Sequence, residues 1–142
     1  MPRKPKYTIG DVFELDLTSE IKGYGRILDI ESPSIFVELY RVKRNFNLDI
    51  NKLLDCTVLL MIWCTDNGFK KNDWKIVGHV PVDGFDMPDF VTKDALTGQL
   101  KIVRGNEKID ATDELLKHAQ PYGIFGHEAV RIRYLHELNL PV

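Results

Sequence analysis

The feature that most narrows the fold is how the apolar residues are spaced between Gly10 and Cys64. In Gly10-Asp11-Val12-Phe13-Glu14-Leu15-Asp16-Leu17, Phe13, Leu15 and Leu17 recur at period two while Glu14 and Asp16 fall between them. Successive side chains of an extended chain point to opposite faces, so this is the signature of a half-buried strand. Tyr24 to Glu31 alternates less cleanly, with Arg26, Leu28 and Ile30 directed one way and Ile27 and Asp29 the other. After Ser32-Pro33-Ser34, the run Ile35 to Val42 is rich in β-branched and aromatic residues and predicts a third strand, completing a meander. Thr57 to Cys64 is apolar almost throughout. Its lack of alternation predicts a strand covered on both faces near the sheet centre.

Gly23 and Gly25 bracket Tyr24 at the start of the second strand, with Arg26 behind them. Glycines inside a strand mark a bulge, a bend or a close backbone approach. Either a positive φ or a tight neighbour would penalise a side chain there by about 1 kcal/mol or more. Tyr24 and Arg26 share one face of the emerging strand, where they either close one end of a curved sheet or face a partner.

Phe46 to Leu54 places apolar residues at 46, 50, 53 and 54, a helical turn or loop. Asp66-Asn67-Gly68-Phe69 supplies turn chemistry, and Trp74 to Val82 is strand-like until Pro81. Asp83 to Phe90 reads as a surface loop. Leu96-Thr97-Gly98-Gln99, between Phe90-Val91 and Leu100-Lys101-Ile102-Val103, predicts a small hairpin. Thr112-Asp113-Glu114 starts a helix that ends before Pro121, because a hydroxyl caps the first turn and acids suit its positive end. His127 to Leu138 sets Val130, Tyr134 and Leu138 four apart, with Ile132 and Leu135 alongside, an amphipathic helix. The predicted fold is α+β: a strongly curved, mostly antiparallel sheet, SH3-like or a partial barrel, with one or two C-terminal helices packed on it. Without internal repeats or linkers, the 142 residues are expected to form a single domain, with residues 1–6 as a flexible lead.

A formal charge of −2 gives no electrostatic case for a general nucleic-acid binder, which presents a strongly basic face. The basic start is followed by no apolar segment, and Val58 to Cys64 is too short to cross a bilayer, so a soluble, cytoplasmic chain with no membrane partner is expected. Cys56 and Cys64, on one extended strand, stand about 26 Å apart and are read as reduced, small buried hydrophobes.

His127-Glu128-Ala129-Val130-Arg131 comes within one residue of a zinc-protease helix, but its fifth residue is a cation and cannot ligand a metal. Glu128 and Arg131 are instead an i,i+3 pair at a helix start. His79, His118, His127 and His136 show no tight ligand spacing with cysteine, so no catalytic residue, metal or cofactor is assigned. Asp83, Asp86, Asp89 and Asp94 surround Phe85, Met87 and Phe90 without calcium-loop spacing. They either form a solvated loop pinned by its aromatics or a partner surface, with apolar anchors and an acidic rim suited to a basic protein. Arg41, Lys43 and Arg44, near Tyr40, Phe46 and Tyr24, suit either an exposed strand edge or single-stranded RNA.

Tyr7-x-x-Gly10-Asp11-x-Phe13-x-Leu15-x-Leu17, then Gly23-Tyr24-Gly25-Arg26-Ile27-Leu28, then Trp74-Lys75-Ile76-Val77-Gly78-x-x-Pro81 with Pro88 and Phe90, resembles the bacterial immunity protein 26 family. The likeness spans roughly Tyr7 to Val103. It implies an α+β protein of a polymorphic toxin system, encoded beside a toxin that it binds and neutralises, with no enzymatic activity and no transferable catalytic residues. The expected partner is that cognate toxin, and the expected contact residues are Tyr24, Arg26, Asp83, Phe85, Asp86, Met87 and Asp89. A curved meander opening with Gly-Asp-x-Phe also resembles SH3-like small barrels, including endoribonucleases of toxin–antitoxin pairs, a reading that needs a basic groove at Arg26, Arg41 and Arg44.

Overall fold

The period-two run becomes β1 (Asp11–Asp16), which pairs antiparallel with β2 (Lys22–Glu31) on one side and β5 (Trp74–His79) on the other. The meander continues through β3 (Ser34–Tyr40) and β4 (Val58–Thr65), and a short parallel strand, β10 (Ile124–Phe125), lies beside β4. The order is β10-β4-β3-β2-β1-β5, an open sheet whose edges are β10 and β5. This computed structural model describes residues 7–43 and 47–140. They divide into one unit of Met1–Asp83 with Ile124–Val142, which holds this sheet, and another of Gly84–Gly123. The α+β class expected from the sequence is the class observed. The expected lead at 1–6, and Arg44 and Phe46, lie outside the described residues.

One face of the sheet carries the main core. Phe13, Leu15, Ile27, Val37 and Ile62 are at most 1% exposed and meet Val130, Tyr134 and Leu135 of α4 (His127–Glu137). Burying a side chain of this size contributes about 1.5–3 kcal/mol, so the stripe on α4 holds the helix against the sheet. Ile132 is 42% exposed, off that stripe. A second cluster of Val12, Tyr24, Tyr40 and Leu53 includes α1 (Ile50–Leu53), whose first turn is capped by Asp49 Oδ1 accepting from Asn51 N at 3.0 Å. The turn residues after β4 form α2 (Asn67–Lys70), a single helical turn that buries Phe69.

Two sequence expectations resolve differently. The β1–β2 pairing runs without interruption from Arg26 to Lys22, and neither Gly23 nor Gly25 has a positive φ; the bulge falls at Leu28, between Ile27 and Asp29. These glycines serve close approach. A Cβ at 23 would stand 2.6 Å from Tyr134 Cε2, and one at 25 would stand 2.7 Å from both Glu38 O and Phe13 Cζ. β4, expected near the centre and covered on both faces, lies second from the edge and alternates in burial: Leu60, Ile62 and Cys64 are buried, whereas Leu59, Met61 and Trp63 are partly so.

The second unit contains β6 (Phe90–Lys93), β7 (Leu100–Arg104), β8 (Glu107–Asp110) and β9 (Gln120–Pro121), in the order β8-β7-β6-β9, with α3 (Asp113–Leu116). β6 and β7 are the expected hairpin. β8 is a charged edge strand whose one apolar residue, Ile109, faces Ile102 across the pair. Thr112 caps α3 as expected, its Oγ1 accepting from Leu115 N at 3.2 Å, although the helix is a single turn.

The seam between α4 and the sheet is held by Tyr134, whose hydroxyl donates to Tyr40 O and accepts from Tyr24 N at 3.3 Å in a fully buried site. Replacing Tyr134 by Phe strands those backbone groups, and a loss of about 1–3 kcal/mol in denaturant unfolding is expected. Gly23→Ala forces its methyl against the same ring and should cost a similar about 1–3 kcal/mol. Unchanged unfolding midpoints in both variants would contradict this packing.

Candidate partner-binding surface

Among the residues singled out in the sequence, Tyr24 and Arg26 share one face of β2, and both are engaged within the first unit. Tyr24 is 4% exposed and its hydroxyl donates to Glu14 Oε2 at 3.0 Å, while Lys22 Nζ reaches Glu14 Oε1 at 2.9 Å. Burial alone would raise the Glu14 carboxyl, but the hydrogen bonds from Lys22 and Tyr24 bring it below its ordinary value. Arg26 donates from Nε to Glu38 Oε2 at 3.2 Å, with NH2 at 3.1 Å from the same oxygen, and the Tyr40 hydroxyl donates to that oxygen as well. Burial and then Glu38 push the Tyr40 phenol up. A guanidinium matched in this way is a bracket between β2 and β3, since separating a buried pair leaves an uncompensated charge.

The loop residues divide by unit: Asp83 belongs to the first, and Phe85, Asp86, Met87 and Asp89 belong to the second. Asp83 and Asp86 are exposed, Met87 is 45% exposed, and Phe85 is partly buried. Asp89 accepts a fork from Arg104, Nε at 2.9 Å and NH2 at 2.8 Å, and those bonds hold its carboxyl below the usual range. Asp94 is equally engaged, accepting from Leu96 N at 2.8 Å and Thr97 N at 3.0 Å. Phe90, 8% exposed, meets Tyr122 edge-on at 6.4 Å within the second unit.

Groups with acid–base potential also serve as braces. His79 Nδ1 lies 2.8 Å from Asp11 Oδ1, and Asp11 also accepts from Thr8 N at 2.9 Å, which ties β5 to the turn before β1. His127 Nε2 stands 3.1 Å from Asp73 Oδ2. Arg131 pairs with Glu128 as their spacing requires, and its NH1 also donates to Leu17 O at 2.9 Å, a second tie between α4 and the end of β1 that the sequence did not reveal. Among the described residues, no three His, Cys, Asp or Glu side chains come together in a way that could hold a metal ion. Cys56 and Cys64 are free thiols; Cys64 is buried, and burial pushes its thiol up. Arg41 NH2 contacts Glu137 O at 3.4 Å and Lys43 is exposed, so Arg26, Arg41 and Lys43 each stand in a different setting.

The family model described as immunity protein 26 matches residues 8–100, and the chain belongs to that family. No curated protein and no solved structure matches the chain. The matched stretch runs from the turn before β1 to the first residue of β7, so α3 and α4 lie beyond it. No helix among the described residues is long and apolar enough to cross a membrane.

Two tyrosines give the first unit a pH signature. Burial, and then the acceptors Asp66 and Glu14, raise Tyr7 and Tyr24 from 10.0 to about 12, and Tyr7 donates to Asp66 Oδ2 at 2.6 Å. A folded-state value above the unfolded one favours the neutral phenol in the fold. Their contribution is therefore intact below pH 10.0 and is lost as pH rises through about 12. Circular dichroism followed with phenolate absorbance should show unfolding and tyrosine ionisation together in that window. Ionisation of both at the ordinary tyrosine value in a still-folded chain would contradict it.

Proposed function

We propose that this immunity-family protein binds a cognate bacterial toxin, encoded by the adjacent gene, and neutralises it in the cytoplasm by protein–protein contact without chemistry of its own. The observation that carries the reading is the family match over residues 8–100, which takes in the meander, the acidic loop and the hairpin turn. The engagement of His79, His127, Arg26 and Glu38 in contacts that brace the fold supports it, because these groups are committed to partners within the chain. Asp83 and Asp86 are the exposed carboxylates of the loop, and Met87 is its exposed apolar side chain. We assign these three to toxin contact. Within the second unit, the Asp86 carboxylate next in sequence to the apolar Met87 suits a basic toxin surface, with charge accelerating encounter and apolar burial sustaining the complex.

The test is co-purification with the product of the adjacent gene, together with growth of cells expressing that product. A stoichiometric complex burying on the order of 1,600 Å² and restored growth are expected. Asp86→Lys should slow association several-fold at low salt and have less effect at high salt, read by stopped-flow mixing. Failure of the wild-type chain to bind or protect rules the proposal out.

A further inference from the structure

Two glycines in the chain follow a residue whose side chain can close a five-membered ring on the next peptide nitrogen: Gly68 after Asn67, and Gly84 after Asp83. The ring forms when that nitrogen attacks the side-chain carbonyl carbon, and a following glycine permits the approach because it has no Cβ to obstruct it. In an unfolded chain near neutral pH the asparagine reacts first, since an amide accepts the attack and an ionised carboxylate resists it.

The fold reverses that order. Asn67 begins α2, its carbonyl accepts from Lys71 N at 2.9 Å, and the Gly68 carbonyl accepts from Asp73 N at 2.9 Å. Gly68 is buried, and a Cβ there would stand 2.2 Å from Trp74 Cδ2. Closing the ring would turn the 67–68 peptide out of its helical ψ and drive it against a buried indole, in packing that yields little.

Asp83 and Gly84 are in the opposite setting. Residues 80–89 belong to no helix or strand, and both Asp83 and Gly84 are exposed. Among the described residues, none hydrogen-bonds to the Gly84 N–H. A Cβ at 84 would find nothing within 4 Å, and the φ of +138° is one that glycine adopts without strain. Nothing holds this peptide against rotation.

We propose that Asp83 is a site of spontaneous isoaspartate formation, left open by the fold while Asn67 is shut. The Gly84 nitrogen bonds to Cγ of the protonated Asp83 carboxyl and gives up its proton, and the hydroxyl leaves as water, yielding a succinimide. Water then adds to one ring carbonyl. Opening at Cγ restores aspartate; opening at the α-carbonyl leaves the main chain running through Cβ and Cγ, with the carboxylate now on Cα. One water is lost and one regained, and nothing is oxidised or reduced. The product keeps its charge but lengthens the backbone by one carbon at the junction of the two units. The chemistry does not depend on the toxin-binding reading.

The test ages the full chain near neutral pH, folded in one arm and unfolded in guanidinium in the other. Electron-transfer fragmentation of the digests separates isoaspartate from aspartate and reads loss of the Asn67 amide by mass. Methylation by an isoaspartyl carboxyl methyltransferase with labelled S-adenosylmethionine gives an independent count. In denaturant, conversion at 67 should run at least several-fold ahead of 83; in the folded chain the order should invert by a similar factor. Asp83→Glu keeps the charge but would need a six-membered ring, so the folded variant should lose most of its methyl-accepting capacity. Conversion at 67 ahead of 83 in the folded chain overturns the assignment. So does an unchanged isoaspartate count in Asp83→Glu, which would place the chemistry at another residue.

Discussion

The first unit depends on one phenol. Tyr134 projects from α4 into the sheet beside Gly23, where its hydroxyl serves Tyr24 N and Tyr40 O. Those backbone groups belong to β2 and β3 at the end where the two strands no longer pair with each other, the last matched residues being Gly25 and Leu39. Without the hydroxyl they would be buried and unsatisfied, at a desolvation cost comparable to a lost hydrogen bond each. The ring needs the space over residue 23, so a glycine there and a tyrosine 111 positions later form one feature divided between two elements. Arg131, one turn earlier on α4, extends the seam to Leu17 O. The C-terminal helix lies beyond the stretch matched to the family, yet it supplies part of the core on which that stretch is built.

The other face of the sheet follows a different logic. Arg26, Glu38 and Tyr40 form a compact charged cluster across β2 and β3, and Glu14 gathers Tyr24 and Lys22 across β1 and β2. Each carboxylate takes donors from a neighbouring strand, so these contacts fix register as well as satisfying charge. They also commit the residues most reminiscent of a recognition patch. The second unit treats its charges similarly, with Asp89 forked by Arg104 and Asp94 occupied by its own turn. Its exposed large hydrophobics, Met87, Leu96, Leu100 and Tyr122, stand among exposed charges such as Asp86, Lys93 and Lys108.

Legibility in the sequence followed the range of the governing interaction. The alternation around Phe13 and Leu15 identified β1 because strand period and burial are local, and Thr112 and Gly98 announced a cap and a turn for the same reason. β8 escaped notice because Glu107-Lys108-Ile109-Asp110 carries a single apolar residue, and an edge strand needs no more. The place of β4 was misread because an unbroken apolar run does not distinguish a central strand from one beside a two-residue edge strand.

By itself, the sequence determined the strand-forming stretches, the turn chemistry and the amphipathic last helix, which depend on residues within a few positions of one another, and the likeness to immunity proteins, which rests on the order of short motifs along residues 8–100. Tertiary structure alone decided why Gly23 and Gly25 are glycines, which carboxylate holds Arg26, and that Tyr134 bonds to Tyr24 and Tyr40. The physical reason is that burial and hydrogen-bond satisfaction are settled between different strands and helices, from 12 positions apart for Arg26 and Glu38 to 110 for Tyr24 and Tyr134, and such pairing leaves no periodicity in a single chain.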